Sequence, residues 1–276
     1  MKTAVLGNFD GFHIGHRALM EKAKEKGLPV LCWSFEPKNG DIFAEKEKIA
    51  LLKAAGADEI YLARFEAVKD KSPEEFVGML RETGVTHAVC GFNFTFGKDR
   101  AGNAETLLDL MNGDADVVGE VKAPLDGREV TVCSTLIRKL LKEGRTEDAV
   151  RLMGHPYIIS GRVNEGKKLG RTIGFPTVNQ NIGGMLPRLG VYGGYTSLGG
   201  REYRTVTNIG TVPTFGGETA HAETHIVGYA PENGEELYGT DLTVCLTRFI
   251  RDEKRFAGAE ELMKQIEKDV MSAEAQ

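Results

Sequence analysis

Two histidines, His13 and His16, lie three positions apart where an apolar strand-like segment gives way to a helical pattern. Histidines at this spacing lie on one face of a helix, and the N–H groups at a helix start favour anions. Gly15, between them, carries no side chain and would let a phosphate approach closely. Because short motifs often match by chance, these residues alone leave open the alternative of two surface histidines beside a glycine turn.

Other polar residues of the first half also follow predicted strands or open predicted helices. Ser134, Thr135 and Arg138 open a helix with two hydroxyls and a guanidinium, which suit phosphate oxygens. Asn93 follows a predicted strand at 87–90, and ligands of open α/β sheets bind outside the carboxyl ends of the strands. The first half therefore predicts a site for a phosphate-bearing substrate.

The second half of the chain offers candidates for different chemistry. Thr177 and Asn179 follow Pro176, and Glu223 stands in a strand-like segment. Taken alone, the first two are ordinary turn residues and the third a solvated strand residue. Neither a G-x-x-x-x-G-K-[ST] segment nor a G-x-G-x-x-G segment occurs in this half, so it is not a P-loop or a dinucleotide fold.

The apolar spacing predicts two architectures that position these groups. Residues 1–154 alternate predicted strands (3–6, 30–35, 87–90) with helices (16–26, 46–55 and one capped by Ser72), which indicates a Rossmann-like domain with a parallel sheet. From residue 155 onward turns become dense, and 18 of the 34 glycines fall within 154–240. Short strands with glycine turns predict an antiparallel β-barrel over 155–276, followed by a terminal helix.

Charge and composition exclude several classes of protein. The 35 basic and 40 acidic residues leave a net charge of −5, and neither half is basic, so we expect no nucleic-acid partner. We expect no membrane partner, because no apolar run approaches the ~20 residues that span a bilayer. We expect no signal peptide, because the N-terminus enters a strand-like segment directly. Four dispersed cysteines without a C-x-x-C pair suit the reducing cytoplasm, where we expect the protein. His155, His221 and His225 are expected to be structural or surface residues, and no transition metal is expected, because no three ligands stand at a zinc spacing.

Together these segments resemble the bacterial bifunctional riboflavin kinase/FAD synthetase family, in its order and over essentially the whole chain. The first half matches at GNFDGFHIGH (7–16), SFEP (34–37), GFNFTFGKDRAGN (91–103) and STLIR (134–138). The second half matches at GFPTVN (174–179), NIG (208–210), ETHI (223–226) and FIRDEKRF (249–256). The resemblance implies a nucleotidyltransferase domain of the HxGH type followed by a riboflavin-kinase barrel.

For the first domain, the resemblance implies transfer of the adenylyl group of ATP to FMN, which forms FAD and releases pyrophosphate. The FMN phosphate is already an anion, so this reaction needs donors for developing charge rather than a base. His13, His16 and Arg138 are the implied catalytic donors. The residues implied to bind ATP and its phosphates are Asn8, Phe9, Gly11, Gly15, Asn93, Ser134 and Thr135.

For the second domain, the resemblance implies phosphorylation of riboflavin to FMN by ATP. The riboflavin hydroxyl is neutral and must lose its proton as it attacks, and Glu223 is the implied base. Thr177 and Asn179 are implied to hold Mg²⁺. The remaining implied contacts are Gly166 and Arg171 with ATP, and Arg251 and Phe256 with the flavin.

Two further hypotheses remain open at the level of sequence. The chain could keep only the kinase, with a degenerate first domain, since Lys38-Asn39 stand where a His-Pro pair is usual after SFEP. Alternatively, it could bind flavin without turnover, although a mere binder would need neither the histidine pair nor Glu223. An assay that separates FMN from FAD discriminates among all three.

Overall fold

The computed structural model describes residues 1–165, 170, 173–214, 217–229 and 237–274. The first of two units, Met1–Ser134, contains the strands β1 (Lys2–Leu6), β2 (Val30–Phe35), β3 (Glu59–Ala63), β4 (Val85–Gly91), β5 (Thr95–Phe96), β6 (Gly102–Asn103), β7 (Ala115–Val118), β8 (Lys122–Leu125) and β9 (Arg128–Thr131). Five of them run parallel and form the central sheet, in the order β3-β2-β1-β4-β7. Strand order reverses between β1 and β4, and ligands of such sheets bind at that switch point.

Helices cover this sheet, as the alternating pattern predicts. They are α1 (Ile14–Lys24), α2 (Glu45–Ala54), α3 (Phe65–Val68), α4 (Pro73–Glu82) and α5 (Ala104–Leu110), with a short 3₁₀ helix at Lys98–Arg100. The cap at Ser72 is confirmed: its hydroxyl accepts from the Glu75 amide, and the Glu75 carboxylate accepts from the Ser72 amide. Helix α1 begins two residues earlier than the expected 16–26, because His13 is its N-cap.

Two apolar clusters pack against the two faces of the parallel sheet. Leu6 and Trp33 belong to one cluster, whereas Val5 and Cys32 belong to the other. Neighbouring residues of a strand point to opposite faces, so a strand buried on both sides is apolar throughout. The short apolar runs of β1 and β2 are therefore explained by burial on both faces.

The second unit, Thr135–Gln276, is built on an antiparallel sheet. The strands of this sheet are β10 (Tyr157–Arg162), β11 (Thr177–Asn181), β12 (Gly190–Leu198), β13 (Arg201–Thr214), β14 (Gly217–Ile226) and β15 (Asp241–Arg251). They pair in the order β10-β15-β12-β13-β14-β11. Gln180 of β11, at one edge of the sheet, reaches the other edge, since its side-chain amide donates to the carbonyls of Gly161 in β10 and Leu242 in β15 at 3.0 and 2.7 Å. The expected antiparallel barrel is confirmed in this nearly closed form.

Three further helices are seen in the described part of the second unit. Helices α6 (Ser134–Glu143) and α7 (Thr146–Met153) precede the barrel, and α8 (Ala259–Glu274) follows it as the expected terminal helix. The unit boundary falls after Ser134, the first residue of α6, and the domain boundary expected between residues 154 and 155 stays a prediction. Within the described ranges, no helix is both long and apolar enough to cross a membrane.

A nearly buried ion pair attaches α8 to the outside of the barrel. The Arg251 guanidinium donates to both carboxylate oxygens of Asp269, at 2.7–3.1 Å, and Asp269 also accepts from Gln265 at 3.0 Å. Val270 and Ala273 of the same helix pack with Val191 of β12. Charge-assisted hydrogen bonds of this geometry are among the strong ones in proteins, so the pair orients the helix.

We expect the substitution Asp269→Ala to lower the free energy of unfolding by about 2 kcal/mol, because it leaves the Arg251 guanidinium without its anionic partner. Urea denaturation measures the change. Glu267→Ala, on an exposed position of the same helix, is the matched control and should change stability by less than about 0.5 kcal/mol. Equal effects of the two substitutions would contradict a stabilising role for the ion pair.

Candidate active sites

The loop from β1 to α1 lies at the carboxyl edge of the parallel sheet and forms the first candidate site. Phe9 and Gly11, two predicted phosphate-site residues, adopt positive φ angles of 49° and 73°. Buried Asp10 anchors this turn, since its carboxylate accepts from the Ile42 amide at 2.6 Å and its carbonyl accepts from the Ser134 hydroxyl at 2.8 Å. The loop is therefore held in one conformation from two sides.

The histidine pair stands at the end of this loop. His13 is the N-cap of α1, and its ring stacks on the ring of His16 with centroids 3.7 Å apart and planes 18° apart. A Cβ on Gly15 would lie 3.0 Å from two atoms of the His13 ring, so the missing side chain makes room for the histidine stack itself. The structure thus brings together the two residues that the spacing placed on one helix face.

Burial determines the charge of His16. The pKa of His16 is held well below its ordinary value, mainly because burial removes its ring from water. The nearby charges of His13 and Lys48 lower it further. Its Nδ1 is buried and forms no hydrogen bond within the described residues. His16 is therefore a neutral imidazole at neutral pH and can donate one N–H without carrying a charge.

The other predicted residues of the first site are distributed over both units. Asn8 is exposed beside the loop, and its carbonyl accepts from Ser34 at 3.1 Å, which ties the SFEP segment to the site. Asn93 is exposed just after β4. Thr135 and Arg138 lie on α6 in the second unit, so their relation to the histidines stays a prediction.

Polar side chains from three adjacent strands form the second candidate site, on the outer face of the barrel. Asn179 of β11 lies directly opposite Glu223 of β14, and Asn208 of β13 lies opposite the other side of Glu223. Thr177 is two residues from Asn179 and therefore on the same face. Directly opposed residues have Cβ atoms about 5 Å apart, so the four side chains share one surface.

The oxygens of Thr177 and Asn179 fit a hard cation. Neither side chain forms a hydrogen bond within the described residues, although the backbone around them is tied down. The Asn179 carbonyl accepts from Asn164 at 2.8 Å, and His225 donates to the Pro176 carbonyl at 2.9 Å. A hydroxyl and an amide oxygen on a fixed strand suit Mg²⁺, which binds oxygen and takes few protein ligands. Gly166 and Arg171, the predicted ATP contacts, lie outside the described residues.

Family models match the two units separately. A model described as FAD synthetase matches residues 1–136, and one described as riboflavin kinase matches residues 153–276. The chain belongs to the bifunctional riboflavin kinase/FMN adenylyltransferase family. Relatives of that name from Bacillus subtilis (strain 168) and Escherichia coli (strain K12) are 34% and 35% identical to it, and each alignment covers 97% of this chain and 90% of the relative.

A solved structure supports the same architecture over the whole chain. It is described as a macrolide-efflux protein from Streptococcus pneumoniae, and it superposes with a TM-score of 0.86 at 28% sequence identity. The match covers 100% of this chain and 94% of that one. The similarity in fold therefore extends over the same residues as the sequence similarity to the riboflavin kinase/FMN adenylyltransferase family.

The residues that the family resemblance assigns to flavin are close together, but one of them has another partner. The Arg251 guanidinium lies 5.7 Å from the centre of the Phe256 ring while it pairs with Asp269. The main observed contact of Arg251 therefore holds α8, and flavin binding by these two residues stays a prediction.

Sequence reasoning assigned no role to two residues that the structure places at the sites, although Asn208 lies in the matching NIG segment. Lys48 of α2 is buried and donates to the Phe35 carbonyl at 2.7 Å, and burial lowers its pKa to about 8 against the opposing effects of Asp41, Asp10 and Glu45. Asn208 joins the second site through strand pairing. A lysine within a helix is usually exposed, so the helical pattern gave no indication that Lys48 is buried.

Proposed function

We propose that the chain converts riboflavin to FAD in two ATP-dependent steps, one on each unit. The observation that carries this proposal is the match of a separate family model to each half. Riboflavin, FMN, FAD and ATP are the substrates and products, and we propose a cytoplasmic location for the protein. Four free cysteines agree with that location, because thiols persist in reducing compartments.

The kinase step is proposed for the outer face of the barrel. The 5′-hydroxyl oxygen of riboflavin attacks the γ-phosphorus of ATP, the bond from that phosphorus to the β,γ-bridging oxygen breaks, and ADP leaves. The hydroxyl proton passes to the Glu223 carboxylate. The partly exposed position of Glu223 between Asn179 and Asn208 supports this role as base. The asparagine amides beside it can orient the substrate oxygens.

We further propose that Thr177 and Asn179 bind Mg²⁺ through their side-chain oxygens. The cation would offset the negative charge of the ATP phosphates. The geometry that supports this role is the shared face of Thr177, Asn179 and Glu223, which brings the oxygen ligands and the base to one surface.

The adenylyl transfer is proposed for the carboxyl edge of the parallel sheet. An FMN phosphate oxygen attacks the α-phosphorus of ATP, the bond to the α,β-bridging oxygen breaks, and pyrophosphate leaves. No proton has to be removed, so no carboxylate base is needed. The start of α1, which has no acidic residue in its first turn, and the stacked His13 and His16 supply donors for the developing charge.

One incubation tests the proposed function. Purified protein with riboflavin, ATP and Mg²⁺ should form FMN first and FAD afterwards, with ADP released in the first step and pyrophosphate in the second. Chromatography separates the two flavins. Formation of FMN without FAD would support a protein with kinase activity alone. Tight FMN binding without turnover would support a flavin-binding protein. Either outcome would overturn the bifunctional proposal.

The Mg²⁺ proposal predicts the behaviour of Thr177→Val, which keeps the side-chain shape and removes the hydroxyl. The Mg²⁺ concentration for half-maximal FMN formation should rise about tenfold, equivalent to about 1.4 kcal/mol of lost ligand binding. A Mg²⁺ titration of the initial rate measures it, and FAD formation from supplied FMN serves as control. An unchanged titration curve would exclude the Thr177 hydroxyl as a ligand.

A further inference from the structure

His221 contacts the proposed base of the kinase step. It lies two residues before Glu223 on β14, so both side chains lie on the outer face of the barrel. The His221 Nε2 atom is 3.4 Å from Oε1 of Glu223. The histidine side chain is only 18% exposed, against 47% for the glutamate, so the less exposed group is placed to restrain the more exposed one.

Among the residues whose side chains are described, the His221 ring has one polar contact, the Glu223 carboxylate. Its Nδ1 is buried and forms no hydrogen bond within the described residues. Gly210 lies opposite His221, and a Cβ there would come within 3.3 Å of His221 Cε1 and 2.8 Å of Glu253 Oε1. Glycine at this position therefore leaves the space that the ring occupies, while Glu253 is engaged by the Asn208 amide at 3.3 Å.

The direction of the contact follows from hydrogen-bond chemistry. A carboxylate oxygen only accepts, so a hydrogen bond here requires the ring hydrogen on Nε2. A separation of 3.4 Å is longer than a good hydrogen bond, but contacts of catalytic groups in ligand-free enzymes are often long and tighten when substrate binds.

We infer that His221 is a positioning residue for Glu223, an inference that rests on the proposed kinase function. The Nε2–H group holds Oε1, and the other carboxylate oxygen, Oε2, remains available for the riboflavin hydroxyl proton. A glutamate on an exposed strand otherwise samples several rotamers, and only some of them face the substrate. Restricting the rotamer raises the fraction of productive encounters rather than the affinity for substrate.

Two matched substitutions test this role. The amide nitrogen of glutamine can occupy the place of Nε2, whereas that of asparagine reaches only the place of Nδ1. We expect His221→Asn to lower kcat for FMN formation about tenfold, with KM for riboflavin and ATP changed less than about twofold. His221→Gln should retain at least about half of kcat, because it restores the N–H donor toward Glu223.

The controls separate this inference from the function on which it rests. FAD formation from supplied FMN should be unchanged in both variants, which shows that the first unit is intact, and an unchanged urea denaturation midpoint shows that the barrel is folded. Equal kcat values for His221→Asn and His221→Gln, whether both fall or both persist, would overturn the positioning role. If Glu223→Gln itself retained FMN formation, the proposed base would be wrong; if only His221→Asn had no effect, the base would stand and the inference would fail.

Discussion

Replacement of Glu223 by glutamine is expected to lower kcat for FMN formation about 1,000-fold. An alcohol oxygen attacks phosphorus effectively only as its proton leaves, and a glutamine amide of the same size cannot accept that proton. Because the strand pairing with Asn179 and Asn208 is made by the backbone, the surface around position 223 should remain intact. Initial rates with riboflavin, ATP and Mg²⁺ measure the loss.

The same variant should form FAD from supplied FMN at the unaltered rate, since that reaction is assigned to the other unit. Glu202→Gln, at an exposed carboxylate of β13 far along the strand from Asn208, is the matched control and should leave both rates unchanged. FMN formation within tenfold of the original rate in the Glu223→Gln variant would exclude this carboxylate as the base.

The second large effect is expected for His16→Ala, which should lower FAD formation from FMN about 100- to 1,000-fold. The reaction builds negative charge on the α-phosphate and on the departing pyrophosphate, and the substitution removes one donor and the stacking partner of His13. Burial keeps the pKa of His16 well below its ordinary value, so its charge does not change between pH 7 and 8. The deficit should therefore be the same at both pH values.

FMN formation from riboflavin should persist in the His16→Ala variant. Glu21→Ala, an exposed position of the same helix, is the matched control and should alter neither reaction. A folded His16→Ala protein that had lost both reactions would show that the two chemistries share a site, which would contradict the assignment of one reaction to each unit.

Most of the architecture could be predicted from local sequence patterns. Alternating strand and helix segments indicated the parallel sheet, and the Ser72 cap was found where its sequence placed it. Such features depend on residues within one or two helical turns, so a single sequence contains them. The family motifs likewise pointed to the β1–α1 loop and to Glu223 before any contact was known.

Local sequence patterns could not predict which distant strands pair or in which register. Glu223 and Asn179 are 44 positions apart, and only the register of β11 against β14 makes them neighbours. The same register adds Asn208, and the packing around Gly210 adds His221. A shift of one residue in either pairing would turn these side chains to the opposite face, so their assembly depends on the whole barrel.

The amino-acid sequence by itself thus determined the two kinds of fold, the family and the residues that can carry out each chemistry. Tertiary structure alone decided that Lys48 is buried near His16, that Arg251 pairs with Asp269, and that His221 reaches Glu223. The physical reason is range: periodicity, caps and motifs act over a few residues, whereas burial, ion pairing and strand register depend on groups that are remote in the chain.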